Sequence, residues 1–382
     1  MRYFQNLGAT FIKVGQIMST RPDLLPEYIV DQLRLLQDQV DPFPFVYVKE
    51  AVENTLNCEI SSVFEEIDET PIASASVAQV HRAVLRNEQV EVAVKVLRPN
   101  IRKTVALDEK IMIAVAKVVS LIPTANLLAP VESVQEFCNA IRNQLDLRLE
   151  ADNNDEFTAQ FQTVPHVRFP TLYRRWCTSD VLVMEFIHGI KSHQYDLSYV
   201  NASKLARIGV DAVLRMIFEY GFVHADLHPG NILLEAGPKV TFIDLGMVGR
   251  IDDRRRRALA ELFFAITQND GRTVARIMFE MSPTKHCSDY DAYESDVAAF
   301  IQNFYSKSLG EIQVSLLIAQ VFRIIRRHNI RCEPAFTLIN VAFIVMEGLG
   351  KRLDPSMKMV EQTLPFLQRL LMPSQVTDNT KS

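Results

Sequence analysis

Cysteine is scarce in this 382-residue sequence. The five copies, at 58, 138, 177, 287 and 332, are widely spaced and never form a C-x-x-C pair. That spacing excludes a disulfide framework and a cysteine-ligated zinc site, and it fits a reducing compartment such as the cytoplasm. An excess of positive charge is also missing. Lysine plus arginine number 41 against 46 acidic residues, a formal charge of −5, so no basic face is expected and nucleic acid is not expected as a partner. The one dense basic run, Arg254 to Arg257, stands at an expected helix start and reads as a solvated face, with a small anionic contact as the alternative. Long apolar runs are absent too: Ile111 to Ile122 is broken by Lys117 and closed by Pro123, and Thr337 to Met346 spans ten residues. A bilayer crossing needs about 20. Arg2 to Met18 has no basic start leading into an apolar stretch, so no signal peptide is expected, and membrane contact is expected only as peripheral.

What the sequence does contain is material for a core. Hydrophobic residues make up 48% and charged residues 23%, which excludes a disordered chain, and the length suits two or three compact units. From Phe4 to about Asn57 the spacing of Leu33, Leu36 and Val40 predicts helix, punctuated by Pro22, Pro26, Pro42 and Pro44. Valine-rich runs within Val63 to Arg98 predict three antiparallel strands. Helices are expected over Ile101 to Leu121 and Val131 to about Phe161, the second with Val134, Phe137, Ile141, Leu145 and Leu149 on one stripe. Strands follow at Val167 to Tyr173 and Val181 to Phe186. His188-Gly189 reads as a neck, beyond which the chain is helical to Leu371 except for short strands at Ile232 to Leu234 and Val240 to Ile243. The expected fold class is α+β, a two-lobed protein-kinase-like fold with a small β-rich N-lobe, a larger helical C-lobe and an N-terminal helical extension. The expected boundaries are 1–57 for the extension, 58–188 and 189–372 for the lobes, and 373–382 for a polar tail.

The chemistry concentrates in HADLHPGN, His224 to Asn231, followed by two strands and FIDLG, Phe242 to Gly246. Phosphoryl transfer needs a carboxylate beside the nucleophile and oxygen ligands for Mg²⁺. Asp226 is the expected catalytic carboxylate, and Asn231 and Asp244 the expected metal ligands, at the spacing of a kinase catalytic loop and metal-binding loop. Either fragment alone would be an ordinary turn; both in order, separated by a hairpin, are not. His224 and His228 stand at i, i+4, a zinc spacing, but Pro229-Gly230 makes this stretch loop rather than helix. Upstream, Val92-Ala93-Val94-Lys95 places a lysine within an apolar strand, where it needs an anionic partner. In a kinase that partner is a nucleotide phosphate, with a helical glutamate holding the ammonium, and Glu150 is the candidate. A snorkelling strand-edge lysine is the bland alternative. Val183 to Ile187 occupies the hinge position, whose backbone around Glu185 to Ile187 would meet adenine. Where a kinase has glycines over the phosphates, this chain has Pro71-Ile72-Ala73-Ser74-Ala75-Ser76-Val77-Ala78-Gln79, and residues with a Cβ resist the positive φ that glycine allows.

These features resemble the UbiB family of atypical kinase-like proteins, also described as AarF-domain-containing kinases, over nearly the whole sequence. The shared motifs are K-x-G-Q as Lys13-Val14-Gly15-Gln16, the alanine-rich loop Ala73 to Val80, the catalytic loop and Asp244-Leu245-Gly246; Thr20 to Pro26 is familiar from bacterial and plastid-type members. The resemblance implies ATP and Mg²⁺ as cofactors, with a K-x-G-Q extension over the cleft and Lys13 directed into the site. It also implies ATPase or small-molecule kinase activity in quinone or lipid metabolism. A quinone precursor or lipid and a biosynthetic complex are then the expected partners besides nucleotide.

The chain departs from the family at one motif. The family's E-x-D reads Gln144-Leu145-Asp146 here, and a neutral amide cannot offset Lys13, so Asp146 takes that role or the lid is held more loosely. The chain also runs from Asp244 through Gly249-Arg250-Ile251 into a helix, with no activation segment and no A-P-E. Ala225 precedes Asp226 where an arginine would receive an activation-loop phosphate. A small or lipid-associated acceptor, or water, is therefore favoured. The alternatives are a protein Ser/Thr kinase and a non-catalytic ATP-dependent regulator of a membrane-bound complex.

Overall fold

The computed structural model of the protein describes residues 13–15, 18, 32–33, 40–121, 130–195, 201–305 and 314–371. The chain forms two compact units, Met1–Gly189 with Thr241–Met247, and Ile190–Val240 with Val248–Ser382.

In the first unit, helix α1 (Phe45–Leu56) precedes an antiparallel sheet built of β1 (Phe64–Ile67), β2 (Ala73–Ser74), β3 (Ala78–Leu85), β4 (Glu91–Leu97) and β6 (Val181–Glu185). Its order is β1-β3-β4-β6, with β2 paired to β3. Side chains alternate across a strand, so β4 serves two cores. Val92, Val94 and Val96 join Val48 and Val52 of α1 and Val181 and Val183 of β6 on one face. Leu97 joins Val77, Ile141, Leu147 and Ala151 on the other. Lys95 shares the parity of Leu97 and lies opposite Val80 and Leu182. Burial of the sheet on both faces is why its strands read as valine-rich runs rather than as alternating ones.

Helices α2 (Ile101–Val119), α3 (Pro130–Gln144) and α4 (Leu147–Gln160) complete this unit's helical layer. The single helix expected over Val131 to Phe161 is therefore two. Asp146, in extended conformation at φ −127° and ψ 100°, accepts from Arg148 N at 3.1 Å and caps α4. Aspartate competes well for a helix start, and the break resets the helical phase. Phe137, Ile141 and Leu145 are buried as the stripe requires, whereas Leu149 is 41% exposed. The expected strand Val167 to Tyr173 shrinks to β5 (Val167–Arg168), because Pro170 cannot donate to a ladder; Leu172 makes only an isolated bridge to Met184.

In the second unit, β7 (Ile190–Lys191) pairs with β9 (Ile232–Glu235), and β8 (Phe222–His224) with β11 (Val248–Arg250). Strand β10 (Lys239–Phe242) begins in this unit and ends in the first. The β8–β11 ribbon was not expected, since three-residue strands leave no periodicity to detect. Helix α5 (Ala202–Leu214) widens into a π-turn over Arg215–Tyr220 that ends at Gly221, φ +62°. A Cβ at Gly221 would also lie 2.4 Å from the Ile251 carbonyl oxygen, so only glycine fits there. Helices α6 (Asp253–Thr267), α7 (Gly271–Glu280), α8 (Tyr290–Tyr305), α9 (Val314–Arg327), α10 (Pro334–Leu353) and α11 (Met359–Leu371) form the rest. Among the described residues no helix is long and apolar enough to cross a membrane.

Candidate nucleotide site

A buried three-member ionic cluster dominates the first unit. Strand parity turns Lys95 toward α4, whose first turn presents Glu150, and Lys95 Nζ donates to both glutamate oxygens at 2.8 Å. The same ammonium donates to Asp244 Oδ1 at 2.7 Å. Lys95 and Glu150 are 8% and 5% exposed, while the Asp244 side chain is 40% exposed. Burial alone would disfavour the Lys95 charge, but Asp244 and Glu150 outweigh it and hold lysine above its ordinary pKa. Burial pushes the Glu150 carboxyl up, reinforced by Asp244 and opposed by Lys95 and then by Lys13.

The backbone after Asp244 is shaped to this cluster. Asp244 itself has φ +57°, a conformation costing a non-glycine residue about 1–2 kcal/mol. Asn153 of α4 donates to the Leu245 carbonyl at 2.8 Å, tying the D-L-G turn to the helix that carries Glu150. Gly246 then passes the glutamate too closely to admit a larger residue comfortably. Asn153 was not expected in this role; its motif neighbours gave no signal that a mid-helix asparagine reaches a distant backbone oxygen.

The alanine-rich loop is a tight β2–β3 turn in which Ala75 N donates to the Ala78 carbonyl at 2.8 Å. None of Ala73, Ser74, Ala75, Ser76 or Val77 takes positive φ, so this loop has no need of glycine. Arg98 secures it. Its Nε donates to Ala75 O at 2.9 Å, its Nη2 to Ser74 Oγ at 2.9 Å and to Asp41 O at 3.0 Å, and its backbone N–H to Val77 O at 2.9 Å. Behind the loop the buried Gln79 brackets Phe43, accepting from its N–H at 3.0 Å, and contacts His81, whose Nδ1 lies 2.7 Å from the Asp68 carbonyl. Sequence reading passed over Arg98, which looks like any charged residue after a strand.

At the expected hinge, Glu185 turns its side chain away from its own backbone, to Arg168, Thr171 N and Thr171 Oγ1. Its N–H donates to Thr171 O at 2.8 Å, and Ile187 O accepts from Gly189 N at 3.0 Å. The K-x-G-Q position is only partly described. Lys13 is 5% exposed, and Val14 packs in the core with Ile141, Leu145 and Leu147; Gln16 lies outside the described residues. Gln144 is buried, its Nε2 without a hydrogen-bond partner among the described residues, while Asp146, the candidate substitute for the family glutamate, gives both carboxylate oxygens to Arg148.

In the second unit the loop after β8 is organised by its histidines. Asp226 N donates to His224 Nδ1 at 3.2 Å, and Gly230 N to His228 Nδ1 at 3.1 Å. These bonds place both imidazoles as supports for the loop backbone. A Cβ at Gly230 would lie 2.8 Å from the His228 ring. Asn231 is buried and donates Nδ2 to the Asp226 carbonyl at 3.0 Å, which fixes the amide's orientation and assigns Oδ1 as its acceptor face. Ser192 Oγ donates to Pro229 O at 2.9 Å beneath the turn. Asn231 Oδ1 and the Asp244 carboxylate are hard oxygen donors of the type Mg²⁺ takes. After β11 the chain enters α6 at once, capped by Asp252 accepting from Arg255 N at 2.8 Å.

Comparison with known proteins gives concordant results. The family profile of the ABC1 atypical kinase-like domain matches residues 35–278, and that of the UbiB helical domain matches residues 297–358. A protein of Pasteurella multocida described as "Probable protein kinase UbiB" is 35% identical over 384 residues, covering 96% of this chain and 73% of its own. One of Aeromonas hydrophila with the same description is 35% identical over 373 residues, covering 96% and 68%. Among solved structures, Rv3197 of Mycobacterium tuberculosis, determined in complex with erythromycin, superposes with a TM-score of 0.56 at 20% identity. That superposition covers 90% of this chain and 91% of Rv3197, a likeness of fold.

Proposed function

The chain belongs to the UbiB family of ABC1 atypical kinase-like proteins, and from that premise we propose that it binds ATP with Mg²⁺. In this reading it hydrolyses the nucleotide or passes the γ-phosphate to a small or lipid-associated acceptor, in support of ubiquinone or other isoprenoid-quinone or lipid metabolism. The observation that carries the reading is the buried Lys95–Glu150–Asp244 cluster. An ammonium this deeply buried, gripped from one side by a glutamate and shared with a part-exposed aspartate, is a cation held ready for an anion.

In the proposed mechanism Lys95, braced by Glu150, meets the α- and β-phosphates. The negative-φ turn from Ala73 to Val77, held by Arg98, covers them with backbone, and the backbone from Glu185 to Ile187 takes adenine. Asp244 and Asn231 are the oxygen donors assigned to the metal ion, which when bound supplies positive charge against the phosphate oxygens. Asp226, its backbone fixed by His224 and Asn231, orients or deprotonates the acceptor hydroxyl or water. The direct passage from β11 into α6 leaves no activation segment for a peptide to dock on, which favours a small acceptor over a protein.

Phosphate release from ATP with and without Mg²⁺, and with quinone-precursor analogues added, tests this reading. Wild type is expected to show Mg²⁺-dependent turnover that Asp244→Asn and Asp226→Asn each reduce at least tenfold. A wild type that neither binds nucleotide nor releases phosphate would overturn it. Efficient labelling of a peptide library would replace the small-molecule acceptor with a protein one.

A further inference from the structure

Helix α2 (Ile101–Val119) carries a heptad repeat of which only one side is used within the chain. Lettered with Lys103 at g, the a positions are Thr104, Ile111 and Val118, and the d positions are Leu107, Ala114 and Leu121, the last in the turn after the helix. All six are exposed. The b and f positions face the protein instead. Val105 and Met112 pack into the core with Phe137 and Ile141, Ala116 is buried, and Glu109 pairs with Arg142 of α3 at 2.6 Å. The fold thus fixes the helix and turns its a/d seam outward. Leu107, Ile111, Val118 and Leu121, with Val115 at e, are between 50% and 79% exposed. Single exposed hydrophobics are ordinary, but a seam of them at heptad spacing is what a second helix covers.

The charges beside the seam are ordered as well. Every g position is lysine, at 103, 110 and 117, whereas the e positions are Asp108 and Val115. Among the described residues, no ion pair within the chain engages these lysines or Asp108.

We infer that α2 is the contact of a two-fold symmetric dimer, in which the α2 helices of two copies of this chain lie parallel and in register. β-Branched residues at a with leucine at d favour two parallel strands, and here Thr104, Ile111 and Val118 hold a while Leu107 and Leu121 hold d. In that register each g position faces the e position five residues further along the other copy. Lys103 then meets Asp108 of the partner subunit, twice by symmetry, and the Lys110 stem lies over an aliphatic Val115. Antiparallel pairing would set one lysine row against the other, so charge selects the parallel arrangement. The five aliphatic side chains offer on the order of 600 Å² per copy, so a pair buries about 1,200 Å², the lower edge of the range for specific dimers. Because the helix is already folded against the core, pairing costs little backbone entropy, and a short seam suffices. The state inferred is a concentration-dependent dimer, and it does not depend on nucleotide chemistry.

Sedimentation of the full chain without nucleotide tests it, over about 1–100 µM, the range that a seam of this area calls for. Wild type is expected to rise from the monomer mass toward twice that mass. The triple variant Leu107→Gln/Ile111→Gln/Val118→Gln is expected to associate at least tenfold more weakly, with an unchanged thermal transition in dilute solution, since these side chains are exposed. Asp108→Lys is expected to weaken the dimer severalfold, and adding Lys103→Asp to restore it, because the swap rebuilds the pair only in the parallel register. Leu107→Cys is expected to give a disulfide-linked dimer with oxidised glutathione under conditions where wild type, with its native cysteines, gives none. A wild type that is monomeric at every concentration would overturn the inference, as would a charge swap that restores nothing. Cross-linking of Leu107→Cys to Leu121→Cys but not to itself would also overturn it, since the helices would then run antiparallel. So would a monomer that floats with anionic vesicles and loses this in the glutamine variant, because the seam would then be a lipid contact.

Discussion

A β-carbon added to Gly246 would sit 3.2 Å from Glu150 Oε2 and 3.7 Å from Asp244 Oδ1. The glycine of the D-L-G turn is therefore a spacer that lets the turn and the glutamate share one lysine. Gly246→Ala is expected to displace Glu150 by a few tenths of an ångström and to cost about 1–2 kcal/mol. Urea unfolding measures this, and Gly246→Val should cost more.

Lys95→Met removes the cation that bridges Glu150 and Asp244. Breaking a buried ionic cluster in this way is expected to cost about 3–5 kcal/mol. The loss should shrink on acidification, because Glu150, already pushed up by burial, takes a proton and relieves the unpaired charge. Equilibrium unfolding of wild type and variant across acidic pH distinguishes this from a packing loss, which would not vary. Adding Glu150→Gln to Lys95→Met should restore part of the stability.

Asp146→Ala removes the cap of α4 and is expected to cost about 1 kcal/mol. Hydrogen bonds from the Arg148 side chain hold the Asp146 carboxyl below its ordinary pKa, with burial acting the other way. A carboxyl depressed in the folded state stabilises above its unfolded pKa and loses that contribution as pH falls through the folded one. The gap between wild type and Asp146→Ala should therefore be full at neutral pH and close in strong acid. A gap that persisted there would show that the cap acts through something other than its charge.

Arg98→Ala deletes three side-chain hydrogen bonds to the alanine-rich loop and its approach. Affinity for ATP is expected to fall about tenfold, the worth of one to two such bonds to a positioning group. Affinity for adenosine should hardly change, since the loop is assigned to the phosphates. Calorimetric titration with both ligands reads the difference, and equal losses would refute that assignment.

Among the described residues, the buried Nε2 of Gln144 has no bonding partner. Leaving such a group unsatisfied costs about 1–3 kcal/mol, so Gln144→Met is expected to be neutral or stabilising. Gln144→Glu instead adds a charge at the position where the family has one, and nucleotide affinity and ATP turnover should both shift. A carboxylate there that altered neither would show that this position has no part in controlling the site.

Much of this was legible in the sequence. The kinase-like fold followed from valine runs, a hairpin and the order of two carboxylate motifs, which report directly on strand burial and loop chemistry. The pairing of Lys95 with Glu150 was foreseeable because a lysine within a buried strand demands an anion. The break before α4 was harder to see, because Leu145 and Leu149 fit one stripe and only the capping preference of Asp146 argues otherwise. Arg98 and Asn153 were invisible, since both act on backbone oxygens distant in sequence, and pattern carries no information about such partners. The β8–β11 ribbon escaped because three residues are too few to show a period.

The interruption between α3 and α4 has a mechanical meaning. Arg102 of α2 reaches the Leu145 carbonyl with Nε at 3.0 Å and Nη2 at 2.7 Å, and Leu147 N donates to Ser179 O at 3.0 Å. A continuous helix would act as a crowbar, carrying any torque on the α2–α3 pair straight to Glu150. The break instead ties the α2–α3 pair, through Leu145 and Leu147, to the turn before β6, so that Glu150 stands on a helix of its own.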